Sequence, residues 1–354
     1  MIHTATWKEA KEGLITDIYF ERTKKILKAK GIDVSVRAEF MAHGFPLNWP
    51  WAVLAGVEEC VEVLKDLPVD VRIMKEGTIF GANQPVMEIS GRYLDFGQYE
   101  TTLLGLICQA SGIATRAARC KKAAGSKEVI SFGARRMHPT IAPLIERNAY
   151  IGGCDGVSVS LGAKLIGKEP VGTMPHALIL IMGDTVKATK AFDEVIEPKV
   201  RRVSLIDTFN DEKIEALNVA GELGKKLYAV RLDTPRSRRG DFLEIMKEVR
   251  WELDLRGYRE IKLFVDFSMD IIEIDGHPVA KRGKMSGSKR IFRCKECFKT
   301  RVSAANERLE RCSCGGVEEE ILVPFTSKGH LLQAMPKAFQ IRDYVLEQLS
   351  KVEL

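Results

Sequence analysis

The sequence is short of long apolar runs. Stretches such as Ala177 to Met182 fall far below the ~20 residues that a membrane-spanning helix needs, and no membrane segment is expected. Met1 to Leu14 lacks the apolar core of a secretory signal, so export is not expected and a cytoplasmic location is. There is no acidic excess either: 54 Lys and Arg against 48 Asp and Glu leave a formal net charge of +6. That mild basic balance suits polyanionic small molecules or nucleic acid, though solvated surface charge explains it as well. No internal repeat or low-complexity tract is present, which argues against solenoid and disordered classes. Cysteine is sparse outside one cluster, and Cys60, Cys108, Cys120 and Cys154 read as small buried side chains in a reducing compartment.

What is present is ordinary globular material, 45% hydrophobic and 29% charged, in a chain of 354 residues. That length exceeds what one core usually organises, so two domains and a small third are expected. Helical spacing runs from Tyr19 to Ala29 behind the cap residues Thr16 and Asp17. Val34 to Phe40 alternates as a strand, Pro50 to Leu64 reads as a helix, and Val69 to Met74 and Pro85 to Ile89 read as strands. A long helical pattern spans Gln98 to Ala124, with Gly112 as a possible interruption and a bridging role between domains.

Beyond it, short apolar strands alternate with amphipathic helices: Val129 to Phe132, Gly156 to Ser160, Pro170 to Thr173, Val203 to Asp207, Leu227 to Leu232 and Ile261 to Val265. That rhythm predicts a parallel α/β barrel or a doubly wound sheet, with chemistry at the C-terminal strand ends. A last helix is expected over Lys337 to Leu349. The polar residues fall at the strand ends: Arg135, Arg136 and His138 after Phe132, His176 after Thr173, Asp207 after Leu205, Arg231 and Asp233 after Val230. With Arg116, these guanidinium forks suit phosphate or carboxylate oxygens. Asp207 and Asp233 suit ribose hydroxyls, Mg2+ or a developing sugar cation. Simple pairing of these acids with the arginines is the plainer alternative.

Leu14 to Phe20, Phe132-Gly133-Ala134-Arg135-Arg136-Met137-His138-Pro139, Gly172-Thr173-Met174-Pro175-His176, Val230 to Thr234 and Lys281 to Gly287 resemble, in order, the motifs of nicotinate phosphoribosyltransferases, particularly the archaeal type with a zinc-binding tail. The resemblance implies a type II phosphoribosyltransferase fold. An N-terminal α+β domain would cover 1–112, an irregular parallel α/β barrel 113–275, and a C-terminal region 276–354, with a zinc module at 290–320. It implies ATP-coupled joining of nicotinate to phosphoribosyl diphosphate with Mg2+, in a homodimer or higher oligomer whose active sites are shared, with no nucleic-acid partner. In that pattern Phe132 and the partner subunit's Tyr19 would sandwich the pyridine ring and Ser158 would lie near it. Arg135 would bind carboxylate or phosphate, Arg231 and Asp233 would hold the donor, and His176 would be phosphorylated by ATP. Thr173, Arg116, Arg136 and His138 complete the expected substrate contacts, and Asp207 joins His176 and Asp233 as a catalytic candidate. Ser158 in place of an acid, with arginine close by, favours a carboxylate over nicotinamide.

The chain departs from that family after Val265. There the pattern has a Ser-Gly-Gly turn and a further βα unit with a phosphate loop, whereas here Val265 runs directly into Asp266-Phe267-Ser268-Met269-Asp270. About 30 residues, one βα unit, are absent. A stretch of chain lost between Val265 and Asp266 is expected, and would show as a Cα separation beyond the ~3.8 Å of a peptide bond.

Cys294-x-x-Cys297 and Cys312-x-Cys314 place two close thiolate pairs on turns, the arrangement that tetrahedral Zn2+ requires in a closed, structural site. Two rivals share these features. A decarboxylating quinolinate phosphoribosyltransferase would have the barrel but lack the Gly172 to His176 motif. A zinc-ribbon nucleic-acid-binding protein would explain the basic charge and the cysteines, but not the strand ends.

Overall fold

The computed structural model describes residues 3–234, 241–265, 289–304, 307–309 and 311–354. The Lys281 to Gly287 motif lies outside these, as does Asp266, on which the expected discontinuity depends. The described residues form two compact units, one built from those up to Pro170 and again from Lys289, the other from Val171 to Val265.

The first unit opens with α1 (Trp7–Lys11), whose Thr6 and Glu9 form a reciprocal capping box, and α2 (Ile18–Ala29). Strands β1 (Ser35–Met41), β2 (Ala52–Val53), β3 (Asp70–Met74), β4 (Ile79–Phe80) and β5 (Pro85–Arg92) follow, with α3 (Val57–Leu64) between β2 and β3. The helix expected from Pro50 to Leu64 is therefore helical only in its second half, and two residues of its first half are strand. Ala52 and Val53 pair antiparallel with Phe80 and Ile79, and the helix begins only after Gly56, whose φ of +86° a side chain would strain. After a short α4 (Tyr93–Phe96), α5 (Glu100–Ala124) runs unbroken through Gly112. It packs against α3 and against α6 (Ala142–Ile151). On the α6 side the approach is so close that a Cβ on Gly152 would lie 2.3 Å from the Ala114 carbonyl oxygen. Strands β6 (Ile130–Ser131) and β7 (Gly156–Val157) pair in parallel, and α7 (Ser160–Leu165) follows.

At the start of the second unit, the expected strand from Pro170 to Thr173 is absent. Pro170 cannot donate to a ladder, and Pro175 follows close behind. Helices α8 (His176–Met182) and α9 (Thr185–Val195) lead to β8 (Arg202–Leu205), α10 (Glu212–Leu223), β9 (Leu227–Leu232), α11 (Phe242–Leu255) and β10 (Lys262–Val265). β8 and β10 flank β9, all parallel, the pattern that βαβ crossovers produce. Val219, Leu227, Val230, Leu232 and Leu253 are buried together beneath the two crossover helices. Parallel pairing among the described residues thus comprises one pair and one triplet.

The C-terminal stretch returns to the first unit. β11 (Lys289–Cys294), β12 (Thr300–Ala304) and β13 (Glu318–Glu320) make a small antiparallel sheet. β14 (Leu322–Ser327) then pairs antiparallel with β3, Leu322 opposite Met74, and β15 (His330–Leu331) completes a five-stranded sheet in the order β1-β5-β3-β14-β15. One face buries Val71, Ile73, Met87 and Ile89, and Leu322 and Met74 are buried on the other. Helix α12 (Ala338–Leu349) covers Ile79 and α5 with Ile341, Val345 and Leu349. No helix among the described residues is long and apolar enough to cross a membrane.

Candidate active site

In the second unit, the ends of β8 and β9 and the loop leading into α8 place five of the expected residues in two contacting groups. Arg231, on β9, donates from Nη1 to Thr173 Oγ1 at 3.0 Å and from Nη2 to Asp233 Oδ2 at 3.3 Å. His176 opens α8, and its Nε2 lies 3.1 Å from Asp207 Oδ1, beyond the end of β8. The Asp207 side chain is almost wholly buried, and its Oδ2 has no hydrogen-bond partner among the described residues. Burial raises its pKa above the ordinary carboxylate value, and the His176 charge opposes that rise. The expectation that Asp233 pairs with an arginine is met by Arg231, yet Asp207 faces a histidine and keeps one oxygen open.

In the first unit, Phe132 and Ser158 each stand one residue past the paired strands β6 and β7, so the parallel register sets them side by side. Arg135 and Arg136 follow on an exposed one-turn 3-10 helix, Gly133–Arg136. His138 is exposed, and its Nδ1 lies 2.7 Å from Thr140 Oγ1 and accepts the Thr140 N–H at 3.3 Å, so it caps the following turn. Tyr19 lies elsewhere in this unit: exposed on α2, it donates from its hydroxyl to Asp17 Oδ2 at 3.2 Å, and Asp17 in turn accepts from Thr101 Oγ1 at 2.8 Å. Arg116 is further along α5 than Thr101 by roughly 22 Å at 1.5 Å per residue, and rests against Trp49. These two expected contacts are not gathered with each other within the unit.

One residue of consequence escaped the sequence reading. Glu146, on α6, has no exposed surface, and its Oε2 accepts the backbone N–H groups of Ser158 at 2.7 Å and Val159 at 3.3 Å. Burial raises its pKa, with those backbone donors pulling the other way. An acid flanked on its helix by buried Ile145 and Ala149 was the available signal.

The four cluster cysteines keep their Sγ atoms within 4.8 Å of one another. Cys294 and Cys314 are 3.4 Å apart, and Cys297 and Cys312 3.5 Å. Those separations exceed a disulfide bond of ~2.05 Å and approach the ~3.8 Å edge of a tetrahedron with metal–sulfur bonds of ~2.3 Å. The Cys314 backbone N–H brings the Cys312 thiol down to about 7, toward the thiolate a metal needs. Gly316 leaves the space: a Cβ there would lie 2.7 Å from Cys294 Sγ. The donor set fits a tetrahedral thiophilic metal.

Comparison with known proteins places this geometry. Residues 17–111 match the quinolinate phosphoribosyl transferase N-terminal domain, and 113–268 match the C-terminal domain of the same name. The nicotinate phosphoribosyltransferase pncB2 of Mycobacterium tuberculosis is 32% identical over 206 residues, 57% of this chain and 43% of that protein. The Bacillus subtilis nicotinate phosphoribosyltransferase is 31% identical over 200 residues, 56% and 40%. The chain thus spans under half the length of these curated relatives. The crystal structure of nicotinate-nucleotide pyrophosphorylase from Pyrococcus furiosus superposes with a TM-score of 0.95 at 50% identity, covering 100% of this chain and 99% of that one. Human nicotinic acid phosphoribosyltransferase shares the fold, with a TM-score of 0.72 at 19% identity over 96% and 94% of the two chains. The chain belongs to the phosphoribosyltransferase family that these quinolinate- and nicotinate-type domains make up, with the type II fold.

Proposed function

We propose that the chain is a nicotinate phosphoribosyltransferase, which joins nicotinate to 5-phosphoribosyl 1-diphosphate and releases diphosphate, with ATP as co-substrate. The observation that carries the choice of nicotinate is the pair His176 and Asp207. If the Asp207 carboxylate accepts the Nε2–H, the imidazole is held in the tautomer that leaves the Nδ1 lone pair free. Nδ1 then attacks the γ-phosphorus of ATP, ADP leaves, and the resulting phosphohistidine drives synthesis as it is hydrolysed. A decarboxylating quinolinate enzyme draws its driving force from loss of CO2 and has no need of such a pair.

The remaining roles follow from charge. Nicotinate nitrogen is a weak nucleophile, so transfer gains most from loosening the bond between C1 and diphosphate. Arg231, steadied by Thr173 and Asp233, faces the donor's anionic groups, and Asp233 takes ribose hydroxyls. Mg2+, when bound with the donor, supplies charge for the leaving diphosphate, and Asp233, whose side chain is part-exposed, would be the carboxylate nearest to hand for it. Phe132 stacks on the pyridine ring beside Ser158, Arg135 meets the carboxylate, and the exposed Tyr19 serves the neighbouring subunit of a homo-oligomer. The strand segments close into an irregular barrel, and Cys294, Cys297, Cys312 and Cys314 hold a structural Zn2+.

Quinolinate is the second reading, favoured by the name of both matching domain models. The test is an assay with phosphoribosyl diphosphate, Mg2+ and either nicotinate, quinolinate or nicotinamide, with and without ATP. Product from nicotinate, raised by ATP, is expected; ATP-independent turnover of quinolinate alone would overturn the assignment.

A further inference from the structure

Other arginines with little exposed surface find partners for their guanidinium groups: Arg147 bonds Glu58 and Glu76, Arg202 bonds Asp193, Arg342 bonds Asp155, and Arg293 bonds Gln348 and the Ile79 carbonyl. Arg116 and Arg119 do not. They stand one turn apart on α5, and both lie against Trp49, with the guanidinium carbons 6.0 and 4.5 Å from the ring centroid. Arg119 also reaches Trp51 at 5.1 Å. Arg116 Nε and Arg119 Nη1 are buried without a hydrogen-bond partner among the described residues. Burial, and then the charge of Arg116, pull Arg119 below the ordinary arginine range. A small cavity opens beside them, lined by Phe45, Pro46, Trp49, Thr115 and Arg116.

Two like charges desolvated on one aromatic platform are costly unless a counter-charge joins them. The tryptophan faces recover part of that cost, yet a cation–π contact leaves the N–H groups in the guanidinium plane unsatisfied. An oxyanion satisfies both the charge and the donors. A carboxylate would neutralise one guanidinium, whereas a phosphate group near neutral pH balances both.

We propose that Arg116 and Arg119, set on Trp49 and Trp51, form a phosphate-binding site built from residues of the first unit alone, without Arg231 or Asp233. The inference does not rest on the transferase reading. Its occupant is a phosphate group, either free or carried by a nucleotide.

Trp49 and Trp51 are two of the chain's four tryptophans, so intrinsic fluorescence reports on this site. The full-length protein is titrated with inorganic phosphate, diphosphate and AMP, alongside Arg119→Gln, which keeps the alkyl stem over the rings, and Arg231→Gln. A saturable change is expected in the parent chain and in Arg231→Gln, with affinity weakened about tenfold or more in Arg119→Gln. The order of the three ligands tells free phosphate from nucleotide. A response that does not saturate, that survives unchanged in Arg119→Gln, or that vanishes in Arg231→Gln would overturn the site. Circular dichroism of both variants checks folding, and Arg116→Gln, expected to weaken binding alike, replaces Arg119→Gln should that variant unfold. No pyridine substrate is present, so failure here leaves the transferase assay unaffected.

Discussion

At the scale of single residues, His176 and Glu146 show how unevenly the contacts of a candidate site are written into a sequence. His176 was legible because it lies in an ordered motif. Glu146 was not, because a lone acid in a helical pattern reads as a solvated one, and only the fold shows it buried beneath Ser158 and Val159. Arg119 was passed over for the same reason. Under the proposed mechanism, His176→Ala should abolish stimulation by ATP while basal transfer from nicotinate survives, and Asp207→Ala should weaken the stimulation at least about tenfold by releasing the tautomer. Initial rates with and without ATP read both. Glu146 gives a pH prediction. Its folded pKa is raised above the ordinary 4.5, so the folded chain holds that proton more tightly than the unfolded one. Its contribution to stability is therefore complete below about 4.5 and is lost as the pH rises through the higher folded value. Glu146→Gln keeps an oxygen for the two backbone donors and has no charge to desolvate. Thermal midpoints from pH 4 to 8 should fall with rising pH less steeply in that variant than in the parent chain.

At the scale of elements, alternation and helical spacing located β1, α2, α5 and α12 to within two residues, and the apolar run of β9 located that strand, which buries residues on both faces between β8 and β10. The misreading from Pro50 to Gly56 came from a segment buried on every side, where Trp51, Val53 and Leu54 fit either period. What distinguished strand from helix was a partner, β4, some distance along the chain. The close seating of α5 against α6 is equally invisible in one sequence, because it depends on the missing side chain of Gly152. Gly152→Ala must push backbone against backbone, and should cost about 1–3 kcal/mol. A lower urea midpoint with unchanged slope would show it; an unchanged midpoint would mean that the two helices can separate at little cost.

At the scale of the whole molecule, the cysteine module is tied into the larger core. Arg293, one residue before Cys294, is buried and donates to Gln348 Oε1 at 3.1 Å and to the Ile79 carbonyl. β13 passes directly into β14, which pairs with β3. If the four thiolates hold zinc, stripping the metal with a strong chelator should release about one ion per chain and lower the thermal midpoint by at least about 5 °C, a loss that readded zinc restores. No metal release would leave the cluster as four free thiols.

The partnership of β3 with β14 also governs assembly in time. As the polypeptide leaves the ribosome, Val71 and Ile73 emerge long before Leu322 arrives to cover their strand. One flank of that ladder must wait, with its amides unsatisfied, until about 250 further residues have been made. A pairing of such sequence separation forms slowly, because a long loop must close before its contacts are made.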